Sequence, residues 1–186
     1  MIKVANAPCS WGVIEKTFES ERCGYYRSVL DEIQETGFTG TELGDWGFMP
    51  TDPFQVKDVL DQRGLSLVGS WVTSVLFVRN GHADSAQRAL QTAGLLAAVG
   101  GTKPLIILGD NLFAYETRNR VAGQVTSRDS MTADQWGVFI DGLHLIARQV
   151  KEETGVRTVF HHHCSTWIEA PWEISRLLEL TDPELI

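Results

Sequence analysis

One pattern constrains this chain more than any other. A short apolar run is followed by a segment of helical period, and the pair recurs five times along 186 residues. Residues 2–7 read as a strand, and residues 21–36 as a helix with Val29, Leu30 and Ile33 on one face. Gly37 stands where a helix end wants a left-handed residue, and residues 38–43 form the second strand. Asp52-Pro53 is a helix start, since Asp accepts backbone N–H bonds and Pro suits the first turn. Phe54, Val59 and Leu60 give that helix its apolar side, and Gly64 stops it. Residues 65–71 are the third strand. An Ala- and Leu-rich helix over 84–99 ends at Gly100-Gly101, and residues 103–108 are the fourth strand. Thr132 and Gln135 make a capping-box pattern. Trp136, Ile140, Leu143, Ala147 and Val150 then step by 4, 3, 4 and 3, the clearest amphipathic helix in the chain. Residues 156–161 are the fifth strand. Pro171 opens a fifth helix carrying Ile174, Leu177 and Leu178, and Leu185-Ile186 is placed at the start of a sixth strand.

Strands alternating with helices of similar length mean a parallel sheet in an α/β fold. Two architectures compete: an open doubly wound sheet, and a TIM-type barrel represented by its first five units. No GxGxxG or P-loop follows the first strand, which weakens the nucleotide-binding open sheet. Polar and aromatic residues gather after the strands, where both architectures bind ligands. The expectation is one incomplete (β/α)-barrel domain over residues 1–186, stopping before the sixth strand. Such a barrel keeps sheet edges, and apolar edges favour homo-oligomers or aggregation.

Charge and cysteine usage exclude several classes. Sixteen basic against 24 acidic side chains leave a net charge of -8, with no Lys/Arg run, so nucleic acid and anionic membrane are poor partners. Three cysteines without CxxC spacing are not a disulfide framework and suit a reducing cytosol. The N-terminal residues read as a strand and not as a signal peptide. No apolar run approaches the roughly 18 residues of a membrane-spanning helix. The expected location is therefore the cytoplasm.

His161-His162-His163 closes the fifth strand. Strand alternation puts His161 and His163 on one side and His162 on the other, and an H-x-H strand end presents two imidazoles to a metal or substrate. Cys164, next in line, is read as a buried thiol, with a soft ligand as the alternative. Glu42 ends an apolar strand, where a carboxylate is costly unless it is paired or used. It is a candidate general base or hydroxyl ligand, or else a cap or an Arg partner. Trp11 and Trp71 each follow a strand and either stack on a sugar-like ring or serve ordinary packing. Asp110 and Asn111 open a polar stretch running to Ser130, longer than the usual connection, and are assigned to substrate binding. That stretch reads as a solvated loop, with Arg118, Arg120 and Arg128 as an alternative anion clamp.

Three segments carry a family resemblance: NAPCSWGV at 6–13, GFTGTELG at 37–44, and the chain from FHHHCSTW at 160 to residue 186. They resemble inosose dehydratases of the xylose isomerase-like (sugar phosphate isomerase/epimerase) TIM-barrel superfamily, and the resemblance runs the whole length. The H-x-H-x-x-T of His161, His163 and Thr166 is its most specific part. The G-x-x-G-x-E of Gly37, Gly40 and Glu42 is shared more widely. The resemblance implies a lyase that removes water from 2-keto-myo-inositol, an inositol-breakdown step, with a divalent ion such as Mn²⁺ or Co²⁺. It implies catalytic roles for Glu42, His161 and His163 on a polyol or sugar-type substrate. The superfamily's metal site takes a carboxylate at the end of the fifth strand, where this sequence departs from the pattern by placing the candidate ligand His161, and then Asp, His and Glu from later strands that this sequence does not contain. A sugar isomerase or epimerase on the same barrel, and a half-barrel that only binds ligand, are the alternatives.

Overall fold

The computed structural model describes residues 2–13, 25–101 and 103–186. Residues 21–24 of the expected first helix, Cys23 among them, lie outside the described residues. Five strands, β1 (Ala5–Asn6), β2 (Gly40–Glu42), β3 (Ser66–Ser74), β4 (Leu105–Asp110) and β5 (Arg157–His161), form one sheet in the order 1-2-3-4-5. The helices are α1 (Tyr25–Glu35), α2 (Pro53–Asp61), α3 (His82–Val99), α4 (Glu116–Arg120), α5 (Ala133–Thr154) and α6 (Pro171–Leu180). The strands are parallel and alternate with helices in an α/β fold, five units of a TIM-type barrel.

The chain packs as two compact units, Met1–Trp71 with Thr92–Ile106, and Val72–Gln91 with Ile107–Ile186. In the first unit, β1 pairs with β2 in parallel, Ala5 opposite Gly40. β2 pairs with β3 in parallel, but the register shifts between Thr41, opposite Leu67, and Glu42, opposite Gly69. Gly40 permits this close pairing, because a Cβ there would sit 3.0 Å from the Ser66 carbonyl oxygen and 3.0 Å from Val68 Cγ1. Val29, Leu30 and Ile33 of α1 are buried as the spacing requires, and Gly37 (φ +88) ends that segment. Asp52 caps α2 by accepting from Gln55 N at 2.9 Å, with Pro53 in the first turn.

The second unit is built around α5. Thr132 and Gln135 form the expected capping box, and Gly155 ends the helix at φ +71. Trp136, Ile140, Leu143, Ala147 and Val150 are all buried, joined by Phe139 and Ile146. Phe139 meets Phe160 of β5 edge-on, with ring centroids 5.8 Å apart. In β3, Ser74 Oγ donates to the Gly109 carbonyl of β4 at 2.8 Å. Among the described residues, no helix is long and apolar enough to cross a membrane.

Several expectations need correction. β4 is shifted toward its C-terminus and includes Asp110, which ends the strand instead of opening a loop. β3 runs on to Ser74, so Trp71 lies within the strand. On α2 the buried face is Val56, Val59 and Leu60, while Phe54 is 81% exposed. On α6, Leu178 is 69% exposed and Glu173 takes the buried position. Leu185 and Ile186 form no strand; both amides bond back to the Asp182 carbonyl in a turn.

Two glycines of α5 test this packing. A Cβ at Gly142 would lie 2.5 Å from Nε2 of the buried His82, whereas one at Gly137 meets nothing within 4 Å. Gly142→Ala is therefore expected to destabilise the fold by about 1–3 kcal/mol through overpacking. Gly137→Ala should stabilise it by about 0.5–1 kcal/mol through helix propensity. Urea unfolding of both variants reads the opposite signs; equal signs would mean that α5 does not pack against His82 as described.

Candidate functional site

In the first unit, the residues singled out from the sequence are Trp11, Glu42 and Trp71. Trp11 belongs to a 3-10 turn over Pro8–Trp11. Its indole Nε1 donates to Glu32 Oε2 at 2.8 Å, and its ring meets Phe38 edge-on at 6.4 Å. Packing therefore accounts for part of this indole, which stays partly exposed. Glu42 sits at the register shift of β2 against β3. Such an irregularity re-aims a side chain and is frequent beside active sites. Burial raises the Glu42 carboxyl above the ordinary carboxylate range. Among the described residues no hydrogen bond or ion pair reaches its oxygens, so it neither caps a segment nor pairs with an Arg. Trp71 is half-buried in β3.

In the second unit, β5 ends at His161, so strand alternation stops there and His162 does not turn away. The His161 ring lies 6.1 Å from that of His162 and 6.0 Å from that of His163. Partial burial, and then the neighbouring imidazoles of His163 and His162, push His161 below the usual imidazole range. His163 Nδ1 lies 2.8 Å from the Cys164 carbonyl oxygen. Cys164 is exposed, contrary to the buried-thiol reading, and its Sγ lies 3.7 Å from Glu169 Oε1.

Asp110 is fully buried, and its oxygens are taken by the protein's own donors. Oδ1 accepts from Asn111 N and from the Tyr115 hydroxyl, both at 2.9 Å, and Oδ2 accepts from Trp167 N at 3.3 Å. Burial nevertheless pushes its carboxyl up to about 6, against the opposing pull of those bonds and of Arg118. Burial and the adjacent Asp110 carboxylate push the Tyr115 phenol up as well. Asn111 is half-buried, its backbone engaged with Asp110 and Ala114.

The solvated-loop reading of the stretch before Ser130 is overturned. Arg118 of α4 is 1% exposed and forms a two-pronged pair with Glu173 of α6, NH1 to Oε1 at 3.0 Å and NH2 to Oε2 at 2.9 Å. Arg118 Nε also donates to the Thr166 carbonyl at 2.7 Å, and NH1 to the Asp129 carbonyl at 3.1 Å. Glu173 Oε2 further accepts from Glu169 N and Ala170 N, both at 2.9 Å. Arg120 pairs with Glu116 on the surface, and Arg128 is exposed. Trp167 lies under the Arg118 guanidinium, 5.5 Å from its ring centre. The indole stacks on Phe77 at 4.2 Å and meets Tyr115 at 5.4 Å. None of Tyr115, Trp167, Glu169 and Glu173 was singled out from the sequence. Only Glu173 had a visible signal, as the third residue after Ala170 at a helix start with Pro171.

The implied divalent ion finds an incomplete donor set. Among the described residues, no group of three or more His, Cys, Asp or Glu side chains could hold a metal ion. His161 alone does not make such a site.

No family model matches the chain. Its fold is that of xylose isomerase-like TIM barrels. It superposes on a 3-keto-D-glucoside 4-epimerase from E. coli with a TM-score of 0.65 and 16% identity, covering 100% of this chain and 66% of that one. It superposes equally on a xylose isomerase-like TIM barrel protein from Mycobacterium smegmatis in complex with magnesium, at 14% identity, covering 96% of this chain and 62% of that one. A probable 3-DHS dehydratase from Bacillus anthracis gives a TM-score of 0.65 at 14% identity, over 99% and 61%. In sequence, the chain is similar to inosose dehydratases. It is 27% identical to that of Salmonella typhimurium over 186 residues, covering all of this chain and 59% of the relative. It is 29% identical to that of Geobacillus kaustophilus over 159 residues, 85% of this chain and 50% of the relative. The chain thus spans between half and three-fifths of the length of these relatives.

Two measurements test the second unit. Arg118→Met leaves the buried Glu173 uncompensated and is expected to cost about 3–5 kcal/mol, lowering Tm on the order of 10 °C. Adding Glu173→Leu should restore much of the loss, and a double-mutant cycle with additive losses would refute the pairing. Asp110 gives a pH test. Its folded carboxyl lies at about 6, above its ordinary 3.8, so between those values the folded state binds more protons than the unfolded one. Stability therefore falls as pH rises from about 4 to 6, by on the order of 3 kcal/mol. Urea midpoints of the wild type measured against Asp110→Asn should converge toward acid and diverge toward neutral pH; parallel curves would show that burial does not perturb Asp110.

Proposed function

We propose that the chain carries the N-terminal part of a hydro-lyase site of inosose dehydratase type, acting on a cyclic polyol ketone such as 2-keto-myo-inositol. The similarity to inosose dehydratases along the whole chain carries this reading, and the imidazole cluster at the end of β5 supports it. The reaction breaks a C–H bond α to the ketone and the C–O bond of the β-hydroxyl, forms a C=C bond and releases water. Glu42, desolvated and without a protein partner among the described residues, is assigned as the base that takes the α-proton. His163 is assigned to proton exchange at a substrate oxygen, and His161 to binding beside it. Trp11, Trp71 and Asn111 are assigned to the substrate. Asp110, enclosed by the protein's own donors, supports the loops instead of touching substrate. The acidic balance and cysteine usage suit a cytoplasmic enzyme. No step depends on the divalent ion, because the donor set present does not complete its site.

A second reading, a sugar isomerase or epimerase, has support from the epimerase among the structural neighbours. Its enediolate would be reprotonated without loss of the hydroxyl. A chimera joining residues 1–186 to the unmatched C-terminal part of the Geobacillus kaustophilus enzyme, supplied with 2-keto-myo-inositol and Mn²⁺, separates the two. The dehydration reading expects a water-loss product by mass and ultraviolet absorbance, with kcat reduced about 10²–10⁴-fold in Glu42→Gln. An isomer of unchanged mass would establish the second reading. A folded chimera that converts nothing would sink the first.

A further inference from the structure

The orientation of His163 is set by contacts that lead back to a residue far from it in sequence. Its Nδ1 lies 2.8 Å from the Cys164 carbonyl oxygen. A carbonyl only accepts, so Nδ1 carries the proton in the neutral ring and Nε2 keeps its lone pair. Among the described residues Nε2 has no protein partner. The backbone beneath the ring is fixed on both sides. His163 N donates to the Ile168 carbonyl at 3.1 Å, and the His163 carbonyl accepts from Thr166 Oγ1 at 2.6 Å. The tight turn between them is held at Ser165, whose φ is +67 and whose N–H donates to Glu169 Oε2 at 2.8 Å. Thr166 is anchored in turn by Arg118 Nε on its carbonyl at 2.7 Å, and Arg118 is locked by Glu173.

We propose that Arg118 is a positioning residue: acting through Thr166, it holds His163 in the Nδ1–H tautomer and leaves the Nε2 lone pair to accept a proton or hydrogen bond from a hydroxyl of a sugar-type substrate. The substrate side of this statement rests on the dehydratase reading; the tautomer does not. Fold stability alone does not call for the arrangement, because well-packed apolar residues stabilise a core as well as a buried ion pair does. What an apolar residue cannot supply is a fixed N–H aimed at one carbonyl. The guanidinium fork gives that direction, and a lysine ammonium, lacking the fork, does not.

The test is a long-range ¹H–¹⁵N correlation of the His163 ring in the 186-residue chain, without substrate or metal, at a pH well above the imidazole range. Wild type and Thr166→Ser, which keeps the hydroxyl, should show the Nδ1–H tautomer. Arg118→Lys and Thr166→Val should lose that signal in favour of Nε2–H, while amides in the core of α5 keep their hydrogen-exchange protection. Should Arg118→Lys fail to fold, Thr166→Val decides alone. A wild-type His163 found as Nε2–H, or variants that retain Nδ1–H, would overturn the proposal. An inactive chimera with the tautomer intact would count against the dehydratase reading and leave the positioning role standing.

Discussion

The pair between Arg118 and Glu173 is the interaction on which the loops of the second unit depend. Two charges out of water are expensive, and their attraction offsets that cost only when the remaining donors and acceptors are also satisfied. Here they are. The guanidinium reaches the Thr166 and Asp129 carbonyls as well as the carboxylate, and the carboxylate takes the Glu169 and Ala170 amides. These partners lie in an irregular segment, at the end of the 3-10 turn over Ser127–Asp129 or at a helix start, where backbone groups lack a full ladder of their own. The pair therefore replaces regular secondary structure as the means of fixing the connection after β4 and the connection after β5.

The aromatic residues beside it follow from the same constraint. Phe77 comes just after β3, Tyr115 after β4 and Trp167 after β5, and the three rings lie within 4.2–5.8 Å of one another. The Arg118 guanidinium over Trp167 adds a cation–π contact to the cluster. Asp110 binds the Tyr115 hydroxyl and the Trp167 amide. The ends of β3, β4 and β5 thus share a packed polar and aromatic layer, and the backbone of Trp167, four residues after His163, is part of it. Rigid support of this kind is what a site needs if its side chains are to keep a fixed geometry.

The regular elements were legible because their signals are local. The α5 stripe, its capping box, the Asp52-Pro53 start and the glycines at helix ends each sit within a few residues of what they determine. The apolar faces were legible only in part. Phe54 and Leu178 satisfy a helical count yet lie on the exposed side, because the count does not say which of two neighbouring faces meets the core. The loop after β4 was misread for a different reason. Arg118 in a stretch rich in Asn, Arg, Ser and Asp resembles any surface arginine, and its partner is 55 residues away. Trp167 and Tyr115 were silent for the same reason. The His-rich strand end and Glu42 were visible because their residue types are unusual at the end of an apolar strand.

Partners separate two strand-end carboxylates that the sequence singled out, Asp110, which is fully buried, and Glu42, which is half-buried. Burial raises both Asp110 and Glu42. At Asp110 three donors oppose the desolvation, so the cost of burial is partly recovered within the protein and the side chain has a structural use. Glu42 has no protein partner among the described residues: it stands at a register shift with its oxygens within reach of solvent. A hydroxyl or an acidic C–H of a ligand can meet such a carboxyl, and one raised by burial is a better proton acceptor than one fixed by amide donors. The contrast in partners, more than the shared direction of shift, is what supports the proposal that Glu42 serves chemistry and Asp110 serves support.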